Sequence, residues 1–128
     1  MIRIDIDPFP SAIQLDGLWL ACWGSASGEY AGKVLSRSLV HLGAFDEDRI
    51  IGFVNVAWDG GAHAFLLDTS VAPQFRRRGI ATRLVKQAAA LARERGAEWL
   101  HVDFEPHLEQ FYRDCGFRPT AAGLIRLK

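Results

Sequence analysis

A mixed α/β fold in one domain is predicted by three features of the sequence. Strand-like runs crowd together between residues 39 and 71, a long amphipathic helical pattern runs from about Gly79 to Arg95, and another strand-like run follows it. Runs joined by short loops form an antiparallel meander. The strand–helix–strand crossover then makes the strands around Val71 and Val102 parallel where they pair. The expected sheet is mixed and mostly antiparallel, and 128 residues suit a single domain over 1–128 built on one core.

Along the chain, Ile2, Ile4 and Ile6 alternate with Arg3, Asp5 and Asp7, a short strand stopped by Pro8 and Pro10. "SAIQLDGLWLACWG" reads as a helix ending near Gly24, and "GEYAGKVLSRSL" as a second one after the breaker "GSASG". "LVHLGAF" and "RIIGFVNVAW" form a hairpin across an acidic turn, and "DGG" turns into "HAFLLDTSV", which Pro73 ends. In the next helix Ile80, Leu84, Ala88 and Leu91 make one stripe, widened by Val85 and Ala92. Arg83, Lys86, Arg93 and Glu94 lie outside it, and Gly96 is placed as a left-handed terminator. "EWLHVDF" is a strand, "PHLEQFYRDCGF" a short helix between Pro106 and Gly116, and "LIRL" a closing strand.

Composition narrows the function. Fifteen basic residues balance fifteen acidic ones, which argues against a general nucleic-acid binder that must neutralise many phosphates. No apolar run approaches the ~20 residues that span a bilayer, and the N-terminus lacks a signal-peptide pattern, so a cytoplasmic protein is expected. Cys22 and Cys115 make no zinc-type spacing; they read as buried or free thiols, and no metal is expected. Trp19 and Trp23, four residues apart, share a helical face, with core packing as the default reading and an acceptor wall or dimer contact as the other.

The positive charge gathers in "QFRRRGIATRLV", residues 74–85, where Arg76, Arg77 and Arg78 precede Gly79 at the start of the long helix. The first N–H groups of a helix lack intrahelical partners and sit at the positive end of its dipole, which suits phosphate. Gly79 removes the Cβ that would hold a pyrophosphate off the backbone, Ala81 is the next smallest residue, and Thr82 can offer a hydroxyl. Taken alone, such a turn is more often a solvated basic surface than a ligand site.

"VAPQFRRRGIATRLV" resembles the acyl-CoA-binding motif of the GNAT superfamily of N-acetyltransferases: Val-x-Pro, then Arg or Gln, two residues, Gly, one residue, Gly or Ala. Arg76, Gly79 and Ala81 hold its defining positions. "FYRDCGF", residues 111–117, is similar to the later Tyr-x-x-x-Gly-Phe segment of that family, with Tyr112 as its tyrosine. The resemblance covers roughly residues 40–128. It implies a sheet that splays at the central parallel pair, with helices on both faces. It further implies acetyl-CoA as donor and a small-molecule or peptide amine as acceptor. The CoA pyrophosphate would lie on the run from Arg76 through Arg77, Arg78, Gly79, Ile80 and Ala81 to Thr82, and the pantetheine would meet the backbone of Val71 as an added strand does. A monomer or a homodimer is expected.

Direct acetyl transfer needs a neutral amine, a polarised thioester, alignment, and a proton for the departing thiolate. Under the resemblance Tyr112 is the acid for the thiolate; otherwise it is a core aromatic. Asp68, inside "FLLDTSV", is a candidate base if it faces the cleft and a solvated strand residue if not. Trp99, His101, Asp103 and Glu105 share one strand face, which either lines a cleft for a cationic amine or is the exposed half of an edge strand. Glu105 stands where many family members have asparagine, which makes Glu105, and behind it His107, candidates for substrate recognition or proton removal. A non-catalytic acyl-CoA-binding module of the same fold is the competing reading.

Overall fold

The computed structural model describes residues 1–26 and 28–128. Five strands form one sheet in sequential order: β1 (Ile2–Ile6), β2 (Ser38–Asp46), β3 (Arg49–Trp58), β4 (His63–Val71) and β5 (Trp99–His101). The first four pair antiparallel, and β4 pairs with β5 in parallel through His63↔Trp99 to Phe65↔His101. The mixed, mostly antiparallel sheet is as expected, but its parallel pair lies at the edge and not at the centre, and it joins residues 63–65 to 99–101, not the strand ends around Val71 and Val102. The closing strand expected at "LIRL" is absent: residues 118–128 adopt no helix or strand and are exposed throughout.

Helices α1 (Ala12–Trp23), α2 (Tyr30–Lys33), α3 (Ile80–Glu94) and α4 (Glu109–Asp114) complete the fold. A capping box starts α1: Ser11 Oγ accepts from Gln14 N, and Gln14 Oε1 accepts from Ser11 N. Gly24 ends it in the left-handed region at φ 75°. The second helix is shorter than its sequence suggested. It is four residues followed by a 3₁₀ turn over Leu35–Arg37; Gly32 within it weakens the helix, and no side chain caps it. The breaker before it includes Ser27, which lies outside the described residues.

Adjacent residues of β3 show how the layers form. Phe53 meets the rings of Trp19 in α1 and Tyr30 in α2, whereas a Cβ on Gly52 would lie 3.2 Å from Leu84 of α3. Neighbouring strand residues face opposite ways, so α1 and α2 cover one side of the sheet and α3 the other. The Gly52 gap lets α3 approach closely. Phe53, Leu15, Leu42, Ile51 and Leu84 are among the wholly buried side chains of this core. The predicted α3 stripe is inside: Ile80, Leu84, Val85, Ala88 and Ala92 are buried and Leu91 is half-buried. Trp19 and Trp23 stack at 4.4 Å.

A polar knot ties the N-terminal strand to the C-terminal end of α3. Phe9 N donates to Nε2 of buried His41 at 3.0 Å, and His41 N donates to Asp7 Oδ1 at 3.0 Å. Arg95 then donates to Asp7 Oδ2 at 2.7 Å and to the Leu39 carbonyl at 2.9 Å. Because His41 Nε2 accepts, its ring proton is on Nδ1, which lies 3.5 Å from Asp7 Oδ1.

Candidate active site

The β4–α3 connection builds the first half of the site. Gly79 is the N-cap of α3 at φ 76°, no side chain caps the helix, and a Cβ at Gly79 would meet nothing within 4 Å. Its conformation, and not crowding by protein atoms, is what calls for glycine there. The amides of the first α3 turn have no intrahelical or side-chain partner, an arrangement from which an anion can accept. Beside them is a cavity of about 270 Å³ lined by Val71, Phe75, Arg76, Arg77, Gly79, Ile80, Ala81, Thr82 and Phe111. Ile80 sends its side chain into the core, so only its backbone can serve this cavity.

The three arginines are placed differently. Arg76 Nε donates to the Val71 carbonyl at 3.0 Å, Arg77 takes φ 63°, and the Arg78 guanidinium lies over the Phe75 ring at 5.1 Å. Cys22 Sγ also lies 3.4 Å from the Val71 carbonyl. That carbonyl is therefore occupied from within the chain, and Val71 meets the cavity as wall and as anchor for Arg76. Burial raises the Cys22 thiol's pKa, with the neighbouring Arg76 pulling the other way.

The second half lies along β4. Three steps from Leu67 to Ser70 oppose two from Phe53 to Asn55, so β4 carries a bulge, and Asp68 within it sits at φ 59°. The bulge turns the Asp68 carboxylate toward α2, where Tyr30 Oη donates to Oδ2 at 2.6 Å. Burial, and then the Asp68 charge, raise the Tyr30 pKa far above the ordinary tyrosine range. Asp68 is half-buried, not a solvated strand residue. Wholly buried Asn55 lies beside Tyr30, although neither polar atom of its side chain has a protein partner at hydrogen-bond distance.

Tyr112 of α4 approaches β4 from the other side. Its ring stacks on Phe104 at 4.9 Å and meets Phe111 and Phe117 edge-on, leaving it 7% exposed. Burial raises its pKa, and the Thr69 side chain beside its hydroxyl pulls the other way. Asp68 and Thr69 are consecutive, so the candidate base and candidate acid flank one bulge.

The polar side chains on and after β5 are open to solvent. Trp99 and His101, in the edge strand β5, and Asp103 and Glu105, beyond its end, are all exposed. Glu105 has an 81% exposed side chain, 3.6 Å from His107 Nδ1, and the structure does not bring it to Asp68 or Tyr112 through any hydrogen bond. Sequence reasoning missed Tyr30 and Thr69. Nothing local marks either one, since Tyr30 reaches Asp68 across 38 positions.

A separate depression of about 290 Å³ lies between α1 and the start of β3, against Ile13, Gly17, Arg49 and Ala72. Among the described residues, Arg49 is the only ionisable group lining it. Among the described residues, no cluster of three metal-ligating side chains occurs, and no helix is long and apolar enough to cross a membrane.

Known proteins resemble this chain in sequence and fold. Mycothiol acetyltransferase of Mycobacterium marinum is 41% identical over 104 residues, covering 78% of this chain but 31% of the relative, so the chain spans about a third of that protein. A GNAT-family acetyltransferase of Streptococcus pneumoniae superposes with a TM-score of 0.81 at 27% identity, each chain covered completely. An aminoglycoside N-acetyltransferase solved with CoA gives a TM-score of 0.78 at 19% identity, over 100% of this chain and 95% of the other. The pattern described as the acetyltransferase (GNAT) family matches residues 2–117, reaching well before the motifs in the sequence, and the chain belongs to that family.

Proposed function

We propose that this protein is an N-acetyltransferase that moves the acetyl group of acetyl-CoA to a primary amine by direct attack. The observation that carries this reading is the uncapped start of α3, where left-handed Gly79 opens the first-turn amides to the cavity. The CoA pyrophosphate accepts from those amides, and Arg76, Arg77 and Arg78 add charge around it. The Val71 carbonyl orients Arg76, so that guanidinium needs little reordering on binding.

The amine nitrogen attacks the thioester carbonyl carbon. A C–N bond forms, the C–S bond breaks, the nitrogen loses a proton and the CoA thiolate gains one. Asp68 takes the amine proton through its second carboxylate oxygen while Tyr30 holds the first. Tyr112 gives its proton to the thiolate, and burial keeps it protonated until negative charge develops on sulfur. Glu105, exposed at the sheet edge, attracts the cationic form of the acceptor and ranks behind Asp68 as base.

Relatives named for mycothiol and for aminoglycosides support a small-molecule acceptor. The burial of Tyr112 among three phenyl rings favours one other reading, an acyl-CoA-binding module in which that tyrosine only packs. Acetyl-CoA incubated with a panel of amines, read by free-thiol release, decides between them. Amine-dependent thiol release is expected; CoA binding with no turnover on any amine would leave the binding module.

A further inference from the structure

We propose that His63 and His101 form a two-histidine chelate for a divalent transition-metal ion that takes ligands at right angles, with Ni(II) as the representative case. Nδ1 of His63 and Nε2 of His101 lie 2.7 Å apart, and the ring centroids 4.9 Å apart. The sheet builds this meeting. Parallel pairing sets His63 against Trp99 and Phe65 against His101, so His101 stands one diagonal step from His63 on the same face. Ala64 and Leu66 are buried in the core, which leaves both imidazoles exposed on the other side. The Phe65 ring stacks on His101 at 4.9 Å, and His63 N donates to Asp59 Oδ1 at 3.3 Å. The two histidines are 38 positions apart, so no spacing along the chain marks the pair.

Imidazole nitrogens suit nickel, copper and zinc ions, and their separation discriminates among these. Two nitrogens ~2.1 Å from one ion stand ~3.0 Å apart at a right angle and ~3.4 Å apart at the tetrahedral angle. The observed 2.7 Å is nearer the right angle, which belongs to square or octahedral ions. Without an ion, one ring N–H donates to the bare nitrogen of the other ring. Chelation needs both nitrogens bare, so the donor ring moves its proton to its other nitrogen through solvent. Two neutral rings therefore release no net proton. Both rings are exposed and free to turn a lone pair onto the ion. Water fills the remaining positions, since no third protein ligand completes a cluster among the described residues. Charge favours a cation here: residues 58–71 and 96–105 carry Asp59, Asp68, Glu98, Asp103 and Glu105 with no Lys or Arg. An ion held by both rings ties β5, paired over three residues only, to β4.

Ni(II) added to the whole, untagged chain tests this; Cu(II) is avoided because the free thiols of Cys22 and Cys115 would reduce it. Paramagnetic broadening in NMR spectra should reach the ring signals of His63 and His101 together at substoichiometric metal. Those of buried His41 and of His107 should stay sharp. Calorimetry should count one ion per chain, and the melting temperature should rise with Ni(II) concentration. His63→Gln and His101→Gln each remove one ligand. Each should weaken binding at least tenfold, since losing even a supporting partner typically costs ~10–100-fold in metal affinity. Each should also abolish the melting shift, with metal-free melting temperatures checking that both variants fold. His107→Gln should change nothing. Broadening centred on His107, or spread evenly over the exposed histidines, would overturn the proposal. So would unchanged affinity in both single variants, or sharp His63 and His101 signals at a tenfold excess of Ni(II). These readouts need neither acetyl-CoA nor an amine.

Discussion

The Tyr112 hydroxyl is the smallest unit on which the proposed chemistry turns. Tyr112→Phe keeps the ring among Phe104, Phe111 and Phe117 and removes one oxygen beside Thr69. Turnover should fall ~10²–10⁴-fold with acetyl-CoA affinity nearly constant, because the proton matters only as charge grows on sulfur. Single-turnover rates checked against melting temperatures will show whether catalysis or packing was lost. Asp68→Asn should lower turnover and change the acid limb of the rate profile, with CoA binding intact. Tyr30→Phe is its companion: it frees the bonded Asp68 oxygen, so the acid limb should move while the carboxylate remains. An unmoved profile in both variants would assign the amine proton to another group. Tyr112 was legible in the sequence because a glycine and a phenylalanine follow it at fixed spacing. The Tyr30–Asp68 bond was not legible, since no local pattern encodes a contact 38 positions apart.

Among the elements, α3 was the most readable, because its apolar period extends over four turns and glycines mark both ends. The meander was equally plain, as short polar turns leave few ways to join its strands. β5 was overread. "EWLHVDF" has strand character over seven residues, yet pairing with β4 stops at Phe65, short of the bulge between Leu67 and Ser70. Alternation reports which residues suit a strand, not how long the neighbouring strand stays alongside. The site at the start of α3 gives a test at this scale. Acetyl-CoA at a hundred times its dissociation constant should add ~2.7 kcal/mol of stability and raise the melting temperature by several degrees. Gly79→Val should abolish that shift, because the conformation at φ 76° excludes a β-branched residue. A full shift in the variant would remove the α3 amides from the binding site.

At the scale of the whole molecule, the His41 knot makes folding sensitive to acid. Burial is the main cause lowering the His41 pKa, Asp7 opposes it and Arg95 adds to it. A histidine held neutral in the fold takes a proton more readily when unfolded. Its stabilising contribution is therefore full above the unfolded value near ~6.5 and declines as pH falls below that. The melting temperature should drop between about pH 7 and pH 5.5, and His41→Gln should flatten the slope while lowering stability at pH 7. An equal slope in both proteins would place the acid sensitivity elsewhere. The same knot joins β1 to the end of α3, so its loss should loosen the N-terminal strand first. Exchange of the amides of residues 2–6 would report it.

Arg77 sits at φ 63°, where most side chains are strained by on the order of 1 kcal/mol. Glycine at this position would relieve that cost, partly offset by the greater freedom it gives the unfolded chain. Arg77→Gly should therefore melt slightly higher while binding acetyl-CoA more weakly, having lost a cation beside the phosphates. Under the proposed function, heat tolerance and acetyl-CoA affinity are expected to oppose one another at this position. A directed-evolution screen that rewards survival of heating would collect changes here. A screen that rewards turnover at limiting acetyl-CoA would discard them.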